Sequence, residues 1–173
     1  RLNAIVPGAL AGLADRVSVL HQTGVRDRDE VERHYEDLGV TAEVVEFIDD
    51  MQSAYRNCDV AICRSGATTL AELTVLGVAS ILVPYPFAAG DHQRSNAQAL
   101  VDGGAAWLVL DRDLEGPSLG EYLHEAIADR AALEARRHAA RSLGRPMALR
   151  DVVQVCLESA KVAPGDDSRG GEA

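Results

Sequence analysis

A chain of 173 residues with 47% hydrophobic content is long enough to bury one ordinary core and too apolar to be disordered over most of its length. Its formal net charge of −10 and aromatic content of 4% exclude a broad nucleic-acid surface, which needs cations for phosphates and aromatic faces for bases. Any phosphate bound here is held locally, by backbone amides and a few cations.

The chain opens with LNAIVPGALAGLA (2–14), apolar at helical spacing but interrupted by Pro7 and Gly8. VSVLHQTG (17–24) reads as a short buried strand. RDRDEVERHYEDLG (26–39) sets acids and bases four residues apart, the pattern of a solvated helix face, and Gly39 closes it. The alternation then repeats: AEVVEFI (42–48) as strand, DDMQSAYRNC (49–58) as helix, VAIC (60–63) as strand, and TTLAELTVLG (68–77) as helix. ASILVPYP (79–86) is the next strand, DHQRSNAQALVDGG (91–104) the next helix, and AAWLVL (105–110) a further strand. Short apolar runs alternating with helices predict βαβ units and a Rossmann-like parallel sheet covered on both faces, with ligands at the carboxyl ends of the strands. From Pro117 the chain turns helical and rich in Ala, Arg and Glu, which predicts packing helices. Residues 161–173, small and polar, are expected to form a disordered tail after a domain spanning 1–160.

The three cysteines, Cys58, Cys63 and Cys156, have no C-x-x-C spacing and read as reduced thiols. Neither they nor the five histidines suggest a metal site, and no apolar run is long enough to span a membrane.

Chemistry is expected at the strand ends. After VAIC, the run Ser65-Gly66-Ala67-Thr68-Thr69 forms a turn and the first turn of a helix, where unpaired amides and the positive dipole end suit a diphosphate. Glu72 follows one turn later, within reach of two adjacent ribose hydroxyls. The same residues also read as an ordinary helix cap followed by a dipole-favourable acid. PYPFAAGDHQRSNA (84–97) brings Asp91, His92, Gln93 and Asn96 to another strand end, and its amides match sugar hydroxyls. There too, Asp91 reads equally as a cap. In EFIDDM (46–51) the paired acids are explained most simply by capping, while the backbone at Ile48 is able to pair with a base edge such as that of uracil. HQTG (21–24) either lines the cleft through Thr23 and Gly24 or is a plain strand-to-helix turn.

HQTG, EFIDDM, CRSGATTLAEL, VPYPFA and DHQRSNA, in this order and spacing, resemble the MurG family over about residues 1–160. These are bacterial enzymes that transfer N-acetylglucosamine from UDP-N-acetylglucosamine to lipid-linked muramyl pentapeptide in peptidoglycan synthesis. The resemblance implies the C-terminal, donor-binding domain of a two-domain GT-B glycosyltransferase working without a cofactor at the cytoplasmic face of the membrane. It assigns uracil to the backbone of Ile48 beside Phe47, ribose to Glu72, and diphosphate and sugar to Ser65, Gly66, Ala67, Thr68 and Thr69. Gln93 is assigned to the sugar hydroxyls, and Asp91, His92, Arg94 and Asn96 are secondary candidates. The family's first strand with its Gly-Gly-Ser loop, its acceptor domain and its membrane contact are expected outside this stretch, so no catalytic residue is assigned within it. Competing expectations are another GT-B enzyme of UDP-sugars, either a natural-product glycosyltransferase or an epimerase, and a non-catalytic flavodoxin-like binding module.

Overall fold

The computed structural model describes residues 1–114 and 118–161. Its order is α1 (Leu2–Leu10), β1 (Val19–Gln22), α2 (Arg28–Asp37), β2 (Ala42–Val45), α3 (Met51–Arg56), β3 (Val60–Cys63), α4 (Ala67–Leu76), β4 (Ala79–Leu82), α5 (His92–Asp102) and β5 (Ala106–Leu108). Then come α6 (Ser118–Ala128), α7 (Arg130–Leu143) and α8 (Ala148–Lys161). The tail expected over 161–173 lies outside the described residues, apart from Lys161 at the end of α8.

Every strand pair is parallel, as the alternation predicts. Val19 lies opposite Ala42 and Gln22 opposite Val45, while Val60 lies opposite Ala79 and Ser80 opposite Ala106. The strands form two sheets, β1–β2 and β3–β4–β5, divided between SVLHQ and VAIC, where the resemblance implies a slot for the family's first, central strand, expected outside this stretch. β1 and β3 therefore each keep one edge without a partner strand among the described residues. That changes the reading of VSVLHQTG as a buried strand: with a neighbour on one side only, β1 alternates between half-buried and exposed, and Leu20 is 45% exposed.

β4 is central to its sheet and buried throughout. Successive side chains of a strand point to opposite faces, and β4 sorts accordingly. Ala79, Ile81 and Val83 join a core with Val6 and Leu10 of α1, Tyr35 of α2, Leu119 and Leu123 of α6, and Trp107. Leu82 joins the opposite core with Tyr55 of α3, Leu70 and Leu73 of α4, and Leu100 of α5. The first of these cores also takes in Val19 of β1 and Val44 of β2, so it is apolar packing that unites the two sheets.

Two local expectations are corrected. α1 runs straight through Pro7, because Val6, Pro7 and Leu10 bury one face, and that burial outweighs the amide hydrogen bond that proline lacks. α6 and α7 pack as expected, but α8 does not: every residue from Ala148 to Ala160 is exposed. Leu149, Val152, Val153 and Cys156 form a helical stripe that meets no apolar surface among the described residues. The turn that ends α4 depends on glycine. Gly77 is left-handed at φ 69°, and its N–H bonds Thr74 O at 3.2 Å while the N–H of Val78 bonds Leu73 O at 2.9 Å. Any Cβ at Gly77 collides with the side chain of Arg141.

Candidate functional site

The carboxyl ends of β1, β2, β3 and β4 carry the four motifs picked out by sequence. HQTG acts as a clamp. Asn3 Nδ2 donates to Thr23 O at 3.0 Å and to Asp27 Oδ2 at 2.7 Å, so its Oδ1 is left as an acceptor 3.2 Å from His21 Nε2. His21 therefore carries its proton on Nε2, and Nδ1 accepts from the hydroxyl of Tyr35 at 2.9 Å. Burial lowers the pKa of His21 and raises that of Tyr35, which agrees with two neutral groups. Downstream, Thr23 N bonds Val45 O at 2.9 Å and Gly24 N bonds Glu46 O at 3.1 Å. Thr23 and Gly24 thus lace β1 to the segment that carries Phe47 and Ile48.

That segment ends in a capped helix, as capping predicted for the acids of EFIDDM. Asp50 Oδ1 accepts from Ser53 N at 2.9 Å, and its bonds with Ser53 hold its carboxyl below the usual range. Phe47 is 68% exposed, and Ile48 is half-buried. The amide of Ile48 is occupied: it donates to Gln22 Oε1 at 2.9 Å.

α4 begins differently. Gly66 is its N-cap, at φ −67° and ψ 145°, and no side chain caps the helix. No side chain of SGATTLAEL therefore serves as a cap, and the first-turn amides of Ala67, Thr68 and Thr69 are left without a side-chain partner, beside exposed side chains at Ala67 and Thr68 and a half-buried one at Thr69. Ser65 is fully buried, and its hydroxyl donates to Gln93 O at 2.7 Å. Its own carbonyl accepts from Asn96 Nδ2 at 3.3 Å. Ser65 and Asn96 are therefore struts tying the end of β3 to the first turns of α5, and the Ser65 side chain, fully buried, is closed to a ligand. A Cβ at Gly66 meets only Thr69 Oγ1, at 3.9 Å, so the protein itself leaves the space above this turn open.

Glu72 is exposed on the second turn of α4, and its charge contributes, after burial, to the raised pKa of Tyr55 in α3. α4 packs against α3, the helix that starts just after Ile48. Burial pushes the nearby Cys63 thiol up to about 12 and Cys58 up to about 11, so both are neutral.

The third rim is the loop before α5. Gln93 Oε1 accepts from Tyr85 N at 2.9 Å, which fixes the carboxamide and leaves Nε2 to donate outward. Asp91 does not cap α5; it is left-handed at φ 54° and lies 3.9 Å from Arg94. The exposed His92 donates Nδ1–H to Ala89 O, turning Nε2 to solvent. Arg64 was not anticipated from sequence. It bonds Val83 O and Pro84 O at 3.3 and 3.0 Å, pairs with Asp111 at 2.7 Å and lies 5.6 Å from the centre of the Tyr85 ring. It is a cation already committed to holding the loop. Two surface depressions are present: about 140 Å³ lined by Asn3, Asp27 and His34, and about 480 Å³ that borders this third rim through Asp91 and Arg94 and continues to Gln98. Neither depression is lined by Ile48, Glu72 or Gln93.

A parallel α/β fold whose strand-end loops meet at an uncapped helix start is the arrangement of nucleotide-binding proteins. More narrowly, the chain belongs to the glycosyltransferase family 28 C-terminal domain family, whose model matches residues 1–152. It is 49% identical over 149 residues to the UDP-N-acetylglucosamine--N-acetylmuramyl-(pentapeptide) pyrophosphoryl-undecaprenol N-acetylglucosamine transferase of Anaeromyxobacter sp. (strain K), covering 86% of this chain and 39% of that protein. The protein of the same name from Paraburkholderia phymatum is 44% identical over 98% of this chain and 46% of its own length. Among solved structures, MurG of Acinetobacter baumannii superposes with a TM-score of 0.82 at 34% identity, over 91% of this chain and 46% of that one. The glycosyltransferase VinC, at 20% identity and a TM-score of 0.68, shares the fold. The chain thus spans less than half the length of these curated relatives.

Proposed function

We propose that this chain is the donor-binding half of an inverting glycosyltransferase that moves N-acetylglucosamine from UDP-N-acetylglucosamine to lipid-linked muramyl pentapeptide, the step from lipid I to lipid II. The observation that carries the reading is the uncapped start of α4, with Gly66 open above it, Glu72 one turn in, and the start of α5 tied to it through the Ser65 hydroxyl and Gln93 O. In this reading the diphosphate lies on the amides of Ala67, Thr68 and Thr69, where the helix dipole and unpaired N–H groups stabilise departing UDP without a metal ion. Glu72 accepts from the two ribose hydroxyls, Ile48 meets uracil, and Gln93 Nε2 donates to the sugar. Thr68 and Thr69 supply hydroxyls near the phosphates, while Asp91, His92 and Arg94 stand at the sugar end of the site.

The acceptor site and the general base belong, on this reading, to the part of the relatives' length that the chain does not span. So does the membrane contact of an enzyme working peripherally at the cytoplasmic face; among the described residues no helix is long and apolar enough to cross a membrane. Calorimetric titration with UDP, UDP-N-acetylglucosamine and UDP-glucose tests the assignment. UDP binding with a preference for the N-acetylated donor is expected, a preference for UDP-glucose supports another GT-B enzyme, and no UDP binding removes the reading.

A further inference from the structure

The hydrogen bond from Ile48 N to Gln22 Oε1 occupies the one amide that the proposed function needs for the base. A backbone N–H donates one good hydrogen bond, so a base carbonyl and Gln22 compete for it. The two competitors are chemically alike. A carboxamide presents a carbonyl acceptor beside an N–H donor, and the uracil edge presents the same pair.

The surroundings allow exchange. The backbone of β1 is locked to the 45–48 segment by the pairing of Gln22 with Val45 and by the amides of Thr23 and Gly24. The Gln22 side chain, in contrast, is exposed, and this is its one hydrogen bond among the described residues. It can swing into solvent without loosening the strand. What it leaves behind is an exposed N–H already aimed out of the segment next to Phe47.

We propose that Gln22 is a built-in stand-in for the nucleobase, holding the Ile48 amide in the empty site and yielding it to the carbonyl of an incoming uracil. The inference rests on the reading of these strand ends as a uridine nucleotide site. Gln22 then sets affinity and selectivity at the base end: it weakens binding by the strength of one exposed hydrogen bond, and a base without a carbonyl at that edge cannot displace it.

The test follows uridine and UDP binding by NMR titration of the Ile48 amide, in the protein and in two variants. Gln22→Ala frees the amide, and uridine should bind roughly 2- to 10-fold more tightly. Gln22→Glu offers a charged acceptor, a stronger competitor, and uridine should bind more weakly than to the unaltered protein. Inorganic diphosphate, which has no base, should bind all three alike, whereas a general disturbance of the fold moves it too. Uridine binding to Gln22→Ala that is unchanged or weaker, in a protein that still binds UDP and loses it on Glu72→Ala, overturns the stand-in role alone. Failure of the unaltered protein to bind UDP overturns the site itself, and the stand-in with it.

Discussion

Glu72→Ala separates a ligand-binding carboxylate from a structural one. The side chain is exposed, and its carboxylate has no hydrogen-bond or ion-pair partner among the described residues. It lies in the second turn of α4, past the first turn where the helix dipole rewards an acid most. Alanine is at least as good a helix former as glutamate, so the change in folding stability should stay within about 0.5 kcal/mol. For a chain of this size that is a melting shift of under about 2 °C. The ligand side is different, because losing a charged acceptor shared by two ribose hydroxyls should cost about 1–3 kcal/mol, or roughly 5- to 150-fold in Kd for UDP. Calorimetry gives the second quantity and a thermal melt the first. Asp49→Asn, a change at an equally exposed acid before α3, should leave the Kd within about 2-fold. The reasoning is refuted if Glu72→Ala binds UDP as well as the unaltered protein does, or if it melts more than about 5 °C lower, which would mean a structural role.

Gly66→Ala places a methyl in the open space above α4, where the backbone at φ −67° accepts any residue. Stability should fall by no more than about 1 kcal/mol, the difference between glycine and alanine as caps, while UDP binding weakens at least roughly 10-fold because the methyl takes the phosphate's place. His21 makes stability depend on pH. Its pKa is lowered in the folded state from the ordinary 6.5, so below 6.5 the unfolded chain takes up the proton first. The urea midpoint should therefore hold above pH 7 and fall as the pH drops below 6.5 through the folded value, and His21→Asn should flatten this decline. UDP at 100 times its Kd should add about 2.7 kcal/mol, and a rise of roughly 5–10 °C in Tm is the check.

The sequence carried the parallel α/β alternation because buried parallel strands read as short apolar runs and exposed helices read as charge at i,i+4. VAIC needed nothing more, whereas ASILVPYP and AAWLVL locate their strands but overrun them, since those strands end at Leu82 and Leu108. The division into two sheets is legible only through the resemblance, whose central first strand is expected outside this stretch; apolar content says nothing about which edges find a partner, and VSVLHQTG looks equally apolar with one neighbour or two. α8 was misjudged for a related reason: Leu149, Val152 and Val153 announce an apolar face without saying whether a surface covers it. At the site, local patterning leaned to a cap for SGATTLAEL and left cap and ligand cradle equal for DHQRSNA. Geometry removes the side-chain cap from both, because neither Ser65 nor Asp91 bonds a first-turn amide. The roles of Gln22, Arg64 and Ser65 were invisible to sequence, since each depends on a partner 26, 47 or 28 residues away.

The division of the sheet and the layout of the site have a common consequence. Gln22 lies in β1 and Ile48 follows β2, whereas Gly66 follows β3 and Glu72 and Gln93 lie in α4 and α5, the helices after β3 and β4. Strand hydrogen bonds fix positions within each group but not between them; the links across are the apolar core shared by α1, α2, α6 and both sheets and the ion pairs of Asp111 with Arg1, before α1, and Arg64, after β3. In the proposed reading the distance between the base end and the ribose end is therefore set by side-chain contacts, less directional than a ladder of hydrogen bonds. A uridine diphosphate holds base and ribose at one covalent separation and, bound across the division, supplies the tie that the backbone does not. Stabilisation by UDP should accordingly be larger than stabilisation by inorganic diphosphate at the same saturation, because only the nucleotide grips both groups.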